Sequence, residues 1–278
     1  MDESQRERAV RFLALHQGPG ILLLCNAWDA ASARIVEAAG FPAIATTSAG
    51  MANSLGFPDG EAAPFAEVVA AVRRIVAAVR VPVSADIEAG FGQTPEETAR
   101  SCREIVEAGA VGVNLEDGTR AHDRLAPITL QCEKIRAAKE AAADAGLGLV
   151  VNARTDVYLD AIGDPDTRFE EAVRRCNAFR EAGADCLLLP RVADEATIGR
   201  LVKAIHGPVN ILAGPGSPPV ASLVRLGVAR VSLGSGPMRA TLGLLRRIAV
   251  ELLESGTYSA TGSDAIPYAE ANGLFTRR

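Results

Sequence analysis

The chain is short of the side chains most often used for covalent and acid–base chemistry. Its 278 residues include three lysines (Lys134, Lys139, Lys203) and three histidines (His16, His122, His206), and aromatic residues make up 4%. The five cysteines, Cys25, Cys102, Cys132, Cys176 and Cys186, are scattered, with no CxxC and no Cys/His spacing suited to zinc. Reduced thiols are therefore expected. No apolar run reaches the roughly 18 to 20 residues of a membrane span, and the opening MDESQRERAV is charged and amphipathic, unlike the core of a signal peptide. With 29 basic against 34 acidic residues and no basic run, there is no electrostatic footprint for nucleic acid or anionic lipid. These absences predict a soluble, cytoplasmic protein with neither nucleic acid nor membrane as partner.

What the chain does have is a regular alternation of short apolar runs with Ala/Glu/Arg-rich amphipathic segments. After a helix near 3–17, strands are predicted at 21–25, 43–47, 83–86, 111–116, 149–154, 186–190, 209–212 and 231–233. Helices are predicted at 30–39, 63–79, 95–108, 130–145, 169–182, 195–204, 219–226 and 239–254, and several end in glycine just before a strand. Eight β-then-α units in one domain over 1–278 predict a (β/α)8 TIM-type barrel, with an open doubly wound sheet as the alternative.

In a barrel, chemistry is expected where strands end. Those places are polar here: Asn26 and Asp29; Thr46, Thr47 and Ser48; Asp86 and Glu88; Asn114, Glu116 and Asp117; Asn152, Arg154 and Asp156; Arg191; and Asn210. Asp86 and Glu88 share one side of their strand because side chains alternate, and with Glu116 they gather negative charge that a cation would relieve. Oxygen ligands without histidine or thiolate favour Mg2+ or Mn2+, whereas solvated loop acids or helix caps would leave the same pattern. Arg154, ending an apolar strand, could grip a substrate carboxylate or pair with Asp156 or Glu116. The lysines fall on predicted helices away from strand ends, which removes a Schiff-base mechanism. His16 and His206 are expected as capping or surface residues, while His122, in a strand-end loop, could carry a proton or simply face solvent. The glycine-rich stretches 214–219 and 234–237 read as turns or as a phosphate cradle.

The ordered segments NAWDAASARIVEAAGFPAIATTSAGMANSLGFPDGE, VSADIEAGFG, GVNLEDG and VNARTD resemble the isocitrate lyase/phosphoenolpyruvate mutase superfamily, in particular its methylisocitrate lyase-like and phosphonomutase-like members, over residues 20–255. The resemblance implies a Mg2+-dependent barrel acting on a small 2-oxo acid or 2-hydroxy di- or tricarboxylate through an enolate. It implies Asp86, Glu88 and Glu116 as metal-site acids, directly or through water, with Asp59 as a further acid. It also implies Thr47, Ser48 and Ala49 as a substrate cradle, Arg154 as the carboxylate-binding arginine and Asn210 as an amide lining the site. A homo-oligomer, dimer or tetramer, is implied as well, with the last barrel helix exchanged and the tail 255–278 packed on a neighbour. The chain departs from the lyases, whose loop after the fourth strand reads Lys-Lys/Arg-Cys-Gly-His where this sequence has Gly-Thr-Arg-Ala-His-Asp. It departs from the mutases in having Ala45 where they carry an aromatic residue. Oxaloacetate decarboxylation or hydrolysis, carbon–phosphorus chemistry, and non-catalytic binding of a 2-oxo-dicarboxylate stand as alternatives.

Overall fold

The apolar runs form strands that are covered on both faces, as parallel strands with crossover helices must be. The computed structural model describes residues 3–119, 123–262 and 265–276. In chain order the elements are α1 (Glu3–Gln17), β1 (Leu22–Leu24), β2 (Asn26–Ala27), α2 (Ala30–Ala38), β3 (Ile44–Thr46), α3 (Ser48–Ser54), α4 (Phe65–Ala78), β4 (Val83–Asp86), α5 (Pro95–Glu107), β5 (Gly112–Glu116) and α6 (Ile128–Asp144). They continue with β6 (Val150–Arg154), α7 (Arg168–Glu181), β7 (Cys186–Leu189), α8 (Glu195–Ala204), β8 (Val209–Leu212), α9 (Val220–Leu226), β9 (Arg230–Ser232), α10 (Gly236–Ser255) and α11 (Tyr268–Gly273). Local signals explain several starts. Thr94 and Glu97 make a reciprocal capping box with Pro95 at the first turn of α5, and Asp29 with Ser32 does the same for α2.

The strands run parallel in the order β1-β9-β8-β7-β6-β5-β4-β3-β2. The expected first strand is split at Cys25: β1 pairs with β9 and β2 with β3, so the two pieces form one stave and complete the barrel. Asn26 stitches this seam. Its Nδ2 donates to Thr46 O at 2.8 Å, and its Oδ1 accepts from the backbone N–H groups of Leu233 and Gly234, each at 2.9 Å. That contact draws Leu233 out of the ladder, so the last strand ends at Ser232; it starts at Arg230, one residue earlier than expected, which pairs with Leu22 and Asn210. Asn26 also occupies the Gly234 amide. The Gly214 amide donates to Ser217 Oγ, so the first glycine-rich stretch is a turn stabilised from within and the second is tied to β2. The short helix α3, unanticipated in the sequence, starts directly after β3 with Thr47 as its N-cap.

The side chains facing the barrel axis are unusually polar. Asn152 Nδ2 donates to Asn114 Oδ1 at 2.8 Å, and Arg230, fully buried, reaches across from β9 towards the same oxygen at 3.5 Å. The apolar half of each strand turns outward, where Val113, Leu115, Val151, Ala153, Leu187, Leu189 and Ile211 pack within the core. Helix α1 closes the N-terminal mouth. A Cβ at Gly112, which opens β5, would lie 2.7 Å from Phe12 Cε1, so this close approach requires glycine. Among the described residues no helix is long and apolar enough to cross a membrane.

His16 corrects the expectation of a capping or surface residue. It is buried beside Phe12, with Nδ1 2.8 Å from Phe12 O and Nε2 3.3 Å from Arg230 Nη1. The signal was its place four residues after Phe12, on the helix face that plugs the barrel. Burial, and then the Arg230 charge, lower its pKa to about 4. The unfolded chain binds a proton near the ordinary value of 6.5 whereas the folded protein does not, so stability is fully present above the unfolded value and is lost as pH falls through the folded one. The loss should be roughly 3 kcal/mol. Urea unfolding of wild type and His16→Gln across this window tests it: the variant should lose less stability on acidification, and parallel curves would refute the assignment.

Candidate active site

The strand register assembles the site. Asp86, Asn114 and Asn152 lie side by side across β4, β5 and β6, and Glu116 is paired with Arg154 one step further along. Glu88 continues the upper row, because its carbonyl accepts from the Glu116 N–H at 2.9 Å. With side chains alternating, Asp86 and the two asparagines form one layer at the C-terminal mouth, and Glu88, Glu116 and Arg154 form the layer above it.

Asp86 is anchored at two atoms and open at a third. Its N–H donates to Thr46 Oγ1 at 2.8 Å, and its Oδ2 accepts from the Ser48 N–H at 3.1 Å, at the start of α3. Its Oδ1 is buried and has no hydrogen-bond partner. Leaving a buried carboxylate oxygen unpaired costs free energy unless something else completes it. The neighbours raise that cost. Burial, then the charges of Asp86 and Asp59, push Glu88 up to about 8. Burial and nearby Asp156, Asp86 and Glu88 likewise push Glu116 well above its ordinary value, although Arg154 pulls against them. Asp59 stands at the solvent rim, where partial burial and the Asp86 charge move it upward, opposed by hydrogen bonds from Ser48 and Gly60. Solvent screening keeps that last effect small.

Arg154, the cation beside these acids among the described residues, is heavily engaged. Arg154 Nη1 lies 2.6 Å from Glu116 Oε2, and Nε and Nη2 donate to the two oxygens of Asp156 at 2.6 and 3.0 Å. The ion pair considered from sequence is thus present on both sides. Burial disfavours the guanidinium charge, but Glu116 and Asp156 more than offset this. Two of its five N–H groups donate to Asp156, and the Nη1 that faces Glu116 makes an ion pair without a formed hydrogen bond, which leaves donors for a ligand. Behind Asp156 stands a support that sequence reasoning missed. The Asp156 N–H donates to Asp117 Oδ1 at 3.0 Å, and Asp117 Oδ2 pairs with Arg175 Nη1 at 2.9 Å. Burial pushes Asp117 to about 6, against the pull of Arg175.

The loop after β4 is held under backbone strain. Glu88, Gly90 and Phe91 have φ of 51°, 101° and 50°, and Glu61 in the facing loop has φ of 54°. A non-glycine residue in this region costs about 1–3 kcal/mol, a cost typical of functional loops. Glu61 clasps the two loops together: its N–H donates to Glu88 Oε2 at 2.7 Å, and its Oε1 accepts from the Phe91 N–H at 2.6 Å.

Among the other expected site residues, Thr47 and Ser48 are buried at the start of α3, with Ala49 partly exposed beside them. Asn210 is fully buried; its Oδ1 accepts from Ser232 Oγ at 3.3 Å and its Nδ2 has no hydrogen-bond partner. His122 lies outside the described residues. Among the described residues no three His, Cys, Asp or Glu side chains are grouped closely enough to ligate one ion together.

Comparisons with known proteins agree with this architecture. The family model for phosphoenolpyruvate phosphomutase matches residues 12–253. Phosphoenolpyruvate phosphomutase of Streptomyces hygroscopicus is 31% identical over 97% of this chain and 88% of its own length. The 2-methylisocitrate lyase of Bacillus subtilis (strain 168) is 33% identical over 76% of this chain and 68% of its own. The crystal structure of a provisionally named lyase/mutase from Burkholderia cenocepacia J2315 superposes with a TM-score of 0.91 at 38% identity, covering 99% of this chain and 98% of that one. The chain therefore belongs to the phosphoenolpyruvate phosphomutase family and is an enzyme of the isocitrate lyase/phosphoenolpyruvate mutase superfamily of lyases and mutases.

Proposed function

We propose that this enzyme is a Mg2+-dependent carbon–carbon lyase acting on a small 2-oxo acid or 2-hydroxy di- or tricarboxylate through an enolate. The observation that carries the reading is Asp86 Oδ1, a buried carboxylate oxygen with no partner, set among Glu88, Glu116 and Asp59. Superfamily members use a divalent metal, and an all-oxygen donor set suits Mg2+, with Mn2+ as a substitute. Because the acids are not drawn together as a cage, Asp86 is the direct ligand, with Glu88, Glu116 and Asp59 acting through water. When bound, the ion supplies electrostatic stabilisation of the oxygen on which enolate charge develops.

The remaining work belongs to the chain. Arg154 offers its remaining N–H groups to a substrate carboxylate, and Glu116 and Asp156 keep it oriented. Thr47, Ser48 and Ala49 bind the substrate at the start of α3, and Asn210 Nδ2 donates from the opposite wall. Glu116, whose burial favours the protonated form, and His122, six positions later in the sequence, move the proton. A substrate panel tests this reading. Incubation with oxaloacetate, methylisocitrate and phosphonopyruvate should give product from one of them, lost on adding EDTA and restored by Mg2+. Product formation indifferent to EDTA would overturn the metal reading. No product from any of them, with calorimetric binding of 2-oxoglutarate or oxaloacetate, would replace the lyase by a binding protein. On α10, Leu242, Leu245, Val250, Leu252 and Leu253 are exposed, which is where we place the homo-oligomer contact. Light scattering on the same preparation reads it, and a monomer would exclude it.

A further inference from the structure

Lys134 belongs to α6, a helix that supplies no side chain to the site described above, and its ammonium is nevertheless built into the site's foundations. The residue is 4% exposed. Its Nζ donates to Ala89 O at 2.9 Å and to Gly92 O at 2.7 Å, two carbonyls that bracket the strained turn running from Glu88 to Phe91. That turn has no regular ladder to hold it. Gly90 is wedged against its surroundings, since a Cβ there would lie 2.8 Å from Thr98 Oγ1 and 3.2 Å from Leu115 Cδ1. Glu61 grips the same turn from the other side, through Glu88 Oε2 and the Phe91 N–H. Burial lowers the Lys134 pKa while the Glu61 charge favours its charged form, so the two clamps support one another across the turn.

We propose that Lys134 is a positioning residue: by capping the carbonyls of Ala89 and Gly92 from beneath, its ammonium holds the left-handed turn 88–92 in the conformation that presents the Glu88 carboxylate beside Asp86. A flexible loop could not keep three residues at positive φ without such over-determination. A point charge on a flexible stem with three donors suits two carbonyls that diverge, a task for which lysine is better shaped than a planar guanidinium. The proposal rests on the metal reading above only for the consequence at the cation, because the restraint on the loop is independent of it.

The test uses the full chain and Mn2+ as a paramagnetic probe, with Lys134→Met and the gentler Lys134→Arg. In Lys134→Met the Mn2+ affinity, read by electron paramagnetic resonance, should fall roughly 10- to 100-fold, as it does when an outer support of a metal site is removed. Amide hydrogen exchange of residues 88–92 should accelerate, while that of β6 to β9 stays at the wild-type rate. Lys134→Arg, which keeps the cation but not the shape of the donor, should recover part of both. Wild-type Mn2+ affinity in a folded Lys134→Met, or exchange at 88–92 in that variant no faster than in wild type, would overturn the proposal. Should wild type itself fail to bind Mn2+, the metal reading falls, and exchange in the turn still decides the role of Lys134.

Discussion

Asp86→Asn is expected to abolish the stabilisation that Mg2+ confers on the wild-type protein while making the metal-free protein slightly more stable. A ligand that binds only the folded state adds about 2.7 kcal/mol when present at 100 times its dissociation constant. In wild type that gain should appear as a Mg2+-dependent rise in the urea midpoint. The amide introduced by Asp86→Asn would keep an acceptor for the Ser48 N–H, which Oδ2 provides now at 3.1 Å, so the start of α3 need not move. What changes is the other oxygen, buried and partnerless in the native site. Replacing it by a neutral amide removes one buried negative charge from the neighbourhood of Glu88, Glu116 and Asp59, each of which has Asp86 among the charges that raise its pKa. Relief of that repulsion is worth about 1 kcal/mol. The same substitution should reduce turnover of whichever substrate the panel identifies to the level seen with EDTA. A Mg2+ response in Asp86→Asn equal to that of wild type would remove Asp86 as the ligand, and with it the assignment of this mouth as a metal site.

The fold was legible because hydrophobic periodicity and strand count both report on burial, and burial is what a barrel of parallel strands imposes. That Asp86, Glu88 and Glu116 would share one end of the barrel was legible for a related reason: carboxylates at the ends of apolar strands have nowhere to go but the mouth. Arg230 was not, because a charge directly ahead of the predicted strand 231–233 reads as a loop residue, whereas it pairs in the ladder with Leu22 and Asn210 and is fully buried. The supports lie on helices, where polar residues at strand ends give no hint of them. Lys134 lies three residues after Gln131 and four before Ala138, and Arg175 lies three after Ala172 and four before Phe179, all buried. Each is a charge on the buried stripe of its helix, and its spacing alone announces an internal partner. What no local pattern could supply is the identity of that partner: the carbonyls of 89 and 92 for one, Asp117 for the other. Those depend on which loops the closed ring brings over which helices.

The largest effect on stability should come from Arg154→Met. The guanidinium holds Glu116 at 2.6 Å and both oxygens of Asp156, and the two carboxylates have side-chain exposures of 13% and 1%. Removing one partner from a buried ion pair of this kind costs about 3–5 kcal/mol. That is a large part of a typical domain's stability of about 5–15 kcal/mol. The sign of the pH response follows. Without Arg154, Glu116, already pushed upward by burial, favours protonation still more strongly when folded than when unfolded, so the folded state binds more protons and stability lost near neutrality should return in part as the pH falls towards about 5. Arg154→Lys should recover only part of the loss, since one ammonium cannot serve Asp156 in two places and reach Glu116 as well. Adding Glu116→Gln and Asp156→Asn to Arg154→Met should restore most of the stability with none of the substrate binding. That outcome would separate the structural cost of the ion cluster from its use as a carboxylate grip. Urea unfolding at about pH 7 and about pH 5 reads the stabilities, and calorimetric titration with the substrate reads the binding. A loss below about 1 kcal/mol in Arg154→Met, the range of exposed ion pairs, would mean that the three charged groups at the mouth are solvated, and the buried carboxylate grip would go with them.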